Sequence, residues 1–320
     1  MPICCLSLSL DLQHGSIKLI AYLTIAVAIW NIAYCIYLLN FAIATRQDVG
    51  DYLDMVSEND GTIIPILAVF PAVLCIATSA ASFYLLYRAF SVNTKPNINN
   101  LMYSFVLLLL GTILITLIIC LMLLTRIYSS SKTLHDGIME AMNNYRSDSL
   151  IKSRIDSLQI QFQCCGSVQY KEWYEITWYD TNLVDKKDEN EYRYQAPFSC
   201  CSMKSIYPCI HHNIESSGLP YKYTKEQNFS LSTAGCFKVV VQLKKQIGLA
   251  VIGRLAALVF TQLLMTTTVR LLQTAHSLTN VLFCPNAIYT SWLFGYYRKR
   301  KPGEPPPVPP IPKELMDNGE

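Results

Sequence analysis

The sequence predicts an all-α membrane protein, a bundle of four transmembrane helices that carries one large, disulfide-stapled extracellular loop. Three observations lead there. The 320 residues are 52% hydrophobic and only 15% charged, with a mean hydropathy of +0.26, and the apolar residues are gathered in blocks instead of being spread at core spacing. Four blocks reach the roughly 20 residues that a helix needs to cross a bilayer. Six of the twelve cysteines fall in one polar stretch between the third and fourth blocks. An even, clustered set reads as a disulfide framework, which persists in an oxidising compartment. The net charge of +3 is too small to argue for a nucleic-acid partner.

Taken in order, the N-terminal segment 1–16 lacks the basic region of a cleaved signal, so the first span, 17–44, is expected to act as its own insertion signal. The loop 45–62 sets Arg46 against Asp48, Asp51, Asp54, Glu58 and Asp60. The second span is 63–87, its outer half bent by Pro65 and Pro71. A short loop, 88–100, carries Arg88 and Lys95, and the third span is 101–124. The fourth, 248–272, is interrupted by polar residues. Its Arg254 and Arg270 lie about 24 Å apart along a helix, so each can snorkel to its own interface. The tail, 273–320, holds Arg298, Lys299, Arg300 and Lys301. Positive-inside bias puts both termini and loop 88–100 in the cytosol. The loops 45–62 and 125–247 are then outside, in agreement with the redox argument. Asn31, Asn40, Ala77, Thr78, Ser79, Ala81 and Gln262 suit helix–helix packing. A channel or transporter would need ionisable groups in mid-membrane, which the first three spans lack.

The large loop is predicted to open and close with helix. Leu134, Ile138 and Met142 recur at helical spacing, as do Ile151, Ile155, Leu158 and Phe162, so the third span is expected to continue outward as a stalk. Gly166 offers a left-handed turn at the end of the ascending helix, and Val239, Val240 and Leu243 lead back into the fourth span. Between the stalks, Trp173, Tyr174, Ile176 and Trp178 either pack on the disulfides or form a contact surface. Asn228-Phe229-Ser230 is an N-glycosylation acceptor. His211 and His212 follow Cys209, but no C-x-x-C is present and no metal site is expected.

Cys164-Cys165-Gly166 and Pro197-Phe198-Ser199-Cys200 between the third and fourth of four spans resemble the tetraspanin family. The segment from Leu158 to Gly166, the block Trp173-Tyr174-Glu175-Ile176-Thr177-Trp178, and Arg270-Leu271-Leu272-Gln273-Thr274 are similar, more narrowly, to its peripherin and rod outer segment membrane protein branch. The resemblance implies the pairings Cys164 with Cys236, Cys165 with Cys200, and Cys201 with Cys209; the sequence alone allows 15 connectivities for six cysteines. It also implies dimers or higher oligomers formed through the large loop, with itself or a related tetraspanin, in sharply curved photoreceptor-type membrane. Trp173, Tyr174 and Trp178 are then candidates for the interaction surface. Two departures bear on this. Vertebrate members of the branch have an unpaired loop cysteine that links dimers covalently, where this chain has Ser149. They also have an acidic residue in the fourth span, where this chain has Gln262.

On the cytosolic side, Cys4, Cys5 and Cys284 are S-palmitoylation candidates. Ile288, Trp292 and Tyr296 fall at i, i+4 and i+8 and are followed by Arg298, Lys299, Arg300 and Lys301. This predicts an amphipathic helix over 286–301 lying in an anionic leaflet. The Pro-rich end, from Pro302 to Pro312, is a candidate SH3-type ligand in polyproline form. No G-x-S-x-G, P-loop or H-E-x-x-H motif is present, so neither enzymatic activity nor a cofactor is expected. The function predicted is a membrane scaffold of plasma or disc-like membranes that stabilises curvature by self-association. A general organiser of adhesion or receptor partners is the alternative.

Overall fold

The computed structural model describes residues 9–56, 60–90, 98–128, 131–179, 194–215, 224–279 and 288–293. In chain order it gives strand β1 (Ser9–Gln13), helix α1 (His14–Thr45), a π-helical turn (Arg46–Gly50), α2 (Asp51–Val56), α3 (Asp60–Phe90), α4 (Ile98–Tyr128), α5 (Ser131–Asn143) and α6 (Ser149–Phe162). Short 3-10 turns at Tyr170–Glu175 and Phe198–Cys200, then α7 (Lys225–Asn228), α8 (Cys236–Thr279) and β2 (Ile288–Trp292) complete it. Four helical stretches, within α1, α3, α4 and α8, are long and apolar enough to cross a membrane, as the hydropathy blocks predict. By contacts the chain divides into two units, one of residues 1–39, 69–120 and 254–320, the other of 40–68 and 121–253.

In the first unit, helices pack through small and aliphatic side chains. Leu109, Met265, Val269, Phe105 and Leu85 form one core, and the polar residues among them are mostly satisfied on their own helix. Thr78, Ser82, Thr112, Thr116, Thr266 and Thr268 each donate a hydroxyl hydrogen bond to a carbonyl three or four residues back. That arrangement suits hydrocarbon surroundings, which offer no partner for a polar group. Asn31 is fully buried and donates to the Met265 sulfur at 3.6 Å.

The helix expected over 286–301 is corrected at its described part: residues 288–292 form a strand, antiparallel to β1, with Leu12 opposite Tyr289 and Gln13 opposite Ile288. Ile-Tyr-Thr-Ser-Trp is rich in β-branched and aromatic residues, which favour strand. Strand parity also changes which side chains go inside. Tyr289 and Ser291 are buried, with Tyr289 packed into a core of Ile17, Ala21, Leu86, Met102 and Leu272. Ile288 and Trp292 therefore do not share a helical face, and Tyr296 lies outside the described residues.

The second unit holds the disulfide head. The stripe Leu134, Ile138 and Met142 is buried on α5. Asp148 caps α6, its carboxylate accepting from the Leu150 and Ile151 amides. The left-handed residue that ends α6 is Gln163 (φ 52°), three before the expected Gly166. Gly166 (φ 68°) serves the following turn, where a Cβ would collide with the Gln169 carbonyl. The descending apolar residues Val239, Val240 and Leu243 lie on α8, in one uninterrupted 44-residue helix with the fourth span.

One charge cluster fixes helix ends within this unit. Asp60, buried at the start of α3, accepts from Lys244 Nζ of α8 at 2.6 Å and from Arg126 of α4 at 3.4 Å. Lys244 is itself 7% exposed, so neither partner can be removed without leaving a buried charge. Asp60→Leu alone should destabilise by about 3–5 kcal/mol. The double variant Asp60→Leu/Lys244→Met should recover most of that loss. Thermal unfolding of the detergent-solubilised protein reads both; an additive double variant contradicts the pairing.

Candidate functional site

The head is built around three disulfides, Cys164–Cys236, Cys165–Cys200 and Cys201–Cys209. The first closes 72 residues of chain, which restricts the unfolded chain by about 4 kcal/mol in the entropy model. Around it the Cys-Cys-Gly turn lies against residues 234–237. The Cys165 amide donates to Ala234 O at 2.8 Å, Cys236 N to Gly166 O at 3.0 Å and Phe237 N to Ser167 O at 2.9 Å. Glu172 closes the same turn, its carboxylate accepting from the Ser167 and Val168 amides at 2.6 and 3.0 Å.

A second set of bonds fastens the segment after Pro197 onto α6. Buried Gln159 accepts from the Ser199 hydroxyl at 2.7 Å, and Gln163 accepts from the Met203 amide at 2.7 Å. On its other side, Ser202 N donates to Ser230 O and Ser232 N to Cys200 O, both at 2.8 Å. Residues 198–209 are thus pinned by two disulfides and by backbone bonds. On this rigid frame Phe198 (69% exposed), Met203 (75%) and Ile206 (90%) face outward, with Tyr207 beside them. Loose apolar side chains at such exposure are ordinary one at a time; several on a cross-linked frame make this segment a candidate contact surface.

Of the three aromatics expected at the surface, Trp173 is corrected: it is 1% exposed and belongs to the core. The 3-10 turn 170–175 rotates it inward, where its ring meets Tyr145 edge-on at 5.1 Å and Trp178 at 6.5 Å. Burial holds the Tyr145 phenol well above its ordinary pKa, reinforced by its 2.8 Å bond to Asp156. Tyr174 and Trp178 are half-buried, and Tyr174 donates to Glu215 at 3.4 Å. Glu215 also pairs with Lys225, and that hydrogen bond is the main cause holding its carboxyl below the ordinary range.

Asn228 is half-buried at the end of α7, its side-chain oxygen accepting from the Thr224 amide and hydroxyl at 3.2 and 3.1 Å. The Ser230 hydroxyl of the same sequon is buried and accepts from the Ile210 amide at 2.9 Å. Gln262 is buried, its amide beside the Cys75 thiol. Ser149 is exposed at the start of α6. Cys4, Cys5, Cys284, Tyr296, Arg298, Lys299, Arg300, Lys301 and the Pro-rich end lie outside the described residues.

The tetraspanin family profile matches residues 16–274. The chain is a tetraspanin. Among curated relatives, peripherin-2 of Bos taurus is 30% identical over 152 residues, 42% of this chain and 43% of that protein. Peripherin-2 of Gallus gallus is 32% identical over 126 residues, 34% of this chain and 36% of that one. Rod outer segment membrane protein 1 of Rattus norvegicus is 27% identical over 219 residues, 57% of this tetraspanin and 62% of the rat protein. The similarity is thus to the peripherin and rod outer segment branch, with each of these matches spanning less than two thirds of the relative.

Two outcomes follow from the head's packing. Trp173→Ala should cost about 3–5 kcal/mol and Tyr174→Ala much less, read as unfolding midpoints in detergent; equal losses would mean that Trp173 is not core. His211 lies against Phe198 and His212, at ring separations of 5.7 and 5.1 Å. Burial, then the neighbouring His212, lowers its pKa from the ordinary value of 6.5. The unfolded chain therefore takes up this proton first as pH falls, and stability is lost from about pH 6.5 downward until the lowered folded value is passed. In His211→Phe the midpoint should fall less over that window.

Proposed function

We propose that this tetraspanin is a non-enzymatic scaffold that self-associates through its large loop and stabilises curved membrane. The observation that carries this reading is the set of exposed apolar side chains Phe198, Met203, Ile206 and Tyr207, the first lying two residues before Cys200 and the others within the loop closed by Cys201–Cys209. Two kinds of observation support it: the similarity to peripherin-2 and rod outer segment membrane protein 1, and the loop's dependence on an oxidising compartment. Partners of the same chemistry, a second copy or a related tetraspanin, would bury that group.

The topology proposed has the loop outside and both termini in the cytosol. Pairing of β1 with β2 brings the two terminal segments to one end of the first unit, which supports a common side for them. Palmitoylation at Cys4, Cys5 and Cys284, glycosylation at Asn228, leaflet contact by the 298–301 basic cluster and an SH3-type partner at the Pro-rich tail remain proposals that fit this orientation.

Reconstitution into liposomes tests the scaffold directly. The wild-type protein should draw vesicles into tubes or tight rims. The triple variant Phe198→Ser/Met203→Ser/Ile206→Ser should leave them smooth while keeping the unfolding midpoint within about 1 kcal/mol of wild type, because exposed side chains contribute little to folding. Tubes of equal curvature from the triple variant would exclude this surface.

A further inference from the structure

A groove on the membrane-spanning part of the first unit has the chemistry of a phospholipid site. It has a volume of about 400 Å³ and lies between α4 and α8, with Arg270 and Tyr103 at one end and Leu110 and Leu263 at the other. Both helices are long and apolar enough to span a bilayer, so the groove opens onto hydrocarbon. Its length, seven residues of helix on either wall, is about 10 Å, which fits within one leaflet of a hydrocarbon core roughly 30 Å thick. The two threonines of the α8 wall do not make it polar. Thr266 and Thr267 turn their hydroxyls onto the carbonyls of Gln262 and Leu264, at 2.7 and 2.8 Å.

The polar end is built to hold a cation in place. The Arg270 guanidinium carbon stands 5.9 Å from the centre of the Tyr103 ring, and its Nη1 donates to the Gln273 side-chain oxygen. Gln273 is oriented in turn by donating to Asn99 at 3.0 Å. A guanidinium fixed by a ring and an amide offers a planar fork of donors that matches phosphate oxygens. Leu293, the residue after β2, closes the same end.

The geometry points to a glycerophospholipid site: the phosphodiester on Arg270 and one acyl chain along Val106, Leu107, Leu110 and Leu263. Lipids whose headgroup has no compensating cation bind it best, so phosphatidylglycerol is held over phosphatidylcholine. Because Leu293 forms part of the rim, an occupied groove also supports the docked tail strand.

The test uses the full chain reconstituted in vesicles of equal phosphatidylglycerol and phosphatidylcholine, extracted in mild detergent, with retained lipid counted by native mass spectrometry. Wild type should retain phosphatidylglycerol preferentially. Arg270→Gln should lower that retention about tenfold or more, the loss expected for a charge-assisted hydrogen bond. Leu110→Trp, which fills the groove and leaves Arg270 intact, should lower it similarly, and inorganic phosphate should not displace the lipid. A second groove of about 380 Å³ between α1 and α3, with Lys18 on its rim, supplies the control: Lys18→Gln should leave the Arg270-dependent retention unchanged. Equal retention in Arg270→Gln overturns the site. So does loss in Arg270→Gln without loss in Leu110→Trp, which would mean an anion on Arg270 with no chain bound, and so does an equal loss in Lys18→Gln, which would mean general attraction to the annulus. Gel filtration at the wild-type position for each variant separates these outcomes from misfolding, and if Arg270→Gln misfolds, Leu110→Trp decides alone.

Discussion

The Cys164–Cys236 disulfide is the constraint on which the head depends. It joins the turn after α6 to the first residue of α8, so everything between is a closed insertion whose two ends cannot separate. Only then do the amides of Cys165, Cys236 and Phe237 find their partners across the turn. The other two bridges lie within that closure, and they hold the 198–209 segment where hydrophobic burial alone would be thin. Small, loop-rich units commonly replace core volume with cross-links in this way. The exposed apolar group at Phe198, Met203 and Ile206 is tolerable on such a frame because its backbone is fixed without it.

A different constraint governs the membrane-spanning helices. Hydrocarbon gives polar groups nothing to bond, so most of the buried hydroxyls inside the first unit return to their own backbone. The charges are confined to places where they are paired or reach an interface. Asp60 with Lys244 is the buried case, and Arg270 against Tyr103 the interfacial one. Gln262 is buried as well, as a neutral amide beside the Cys75 thiol. Charge at that depth would cost more than the neutral amide.

Much of this was legible in the sequence because its signals are local. Apolar length marked the four spans, and helical spacing marked the buried faces of α5 and α6. What could not be read depends on contacts distant in sequence. Asp60 looked like one more acidic residue in a polar loop, and only Lys244, 184 positions away, makes it a buried ion pair. Trp173 was legible as an important aromatic but not as an inward one, since a 3-10 turn decides its direction. Tyr289 was hidden by a coincidence of periods: an i, i+4, i+8 pattern selected Ile288 and Trp292, while strand pairing with β1, near the other end of the sequence, buries Tyr289 and Ser291. Phe198, Met203 and Ile206 carried a weak signal, apolar residues set between cross-linked cysteines in a polar loop.

The mass of the native particle in mild detergent, compared with its mass under denaturing but non-reducing conditions, tests loop-mediated self-association most directly. With Ser149 where the branch's linking cysteine would stand and the six head cysteines paired within the chain, the native particle should contain two or more chains. Denaturant without reductant should release single chains. A native monomer, or a ladder of covalent multimers that only reductant resolves, would contradict it.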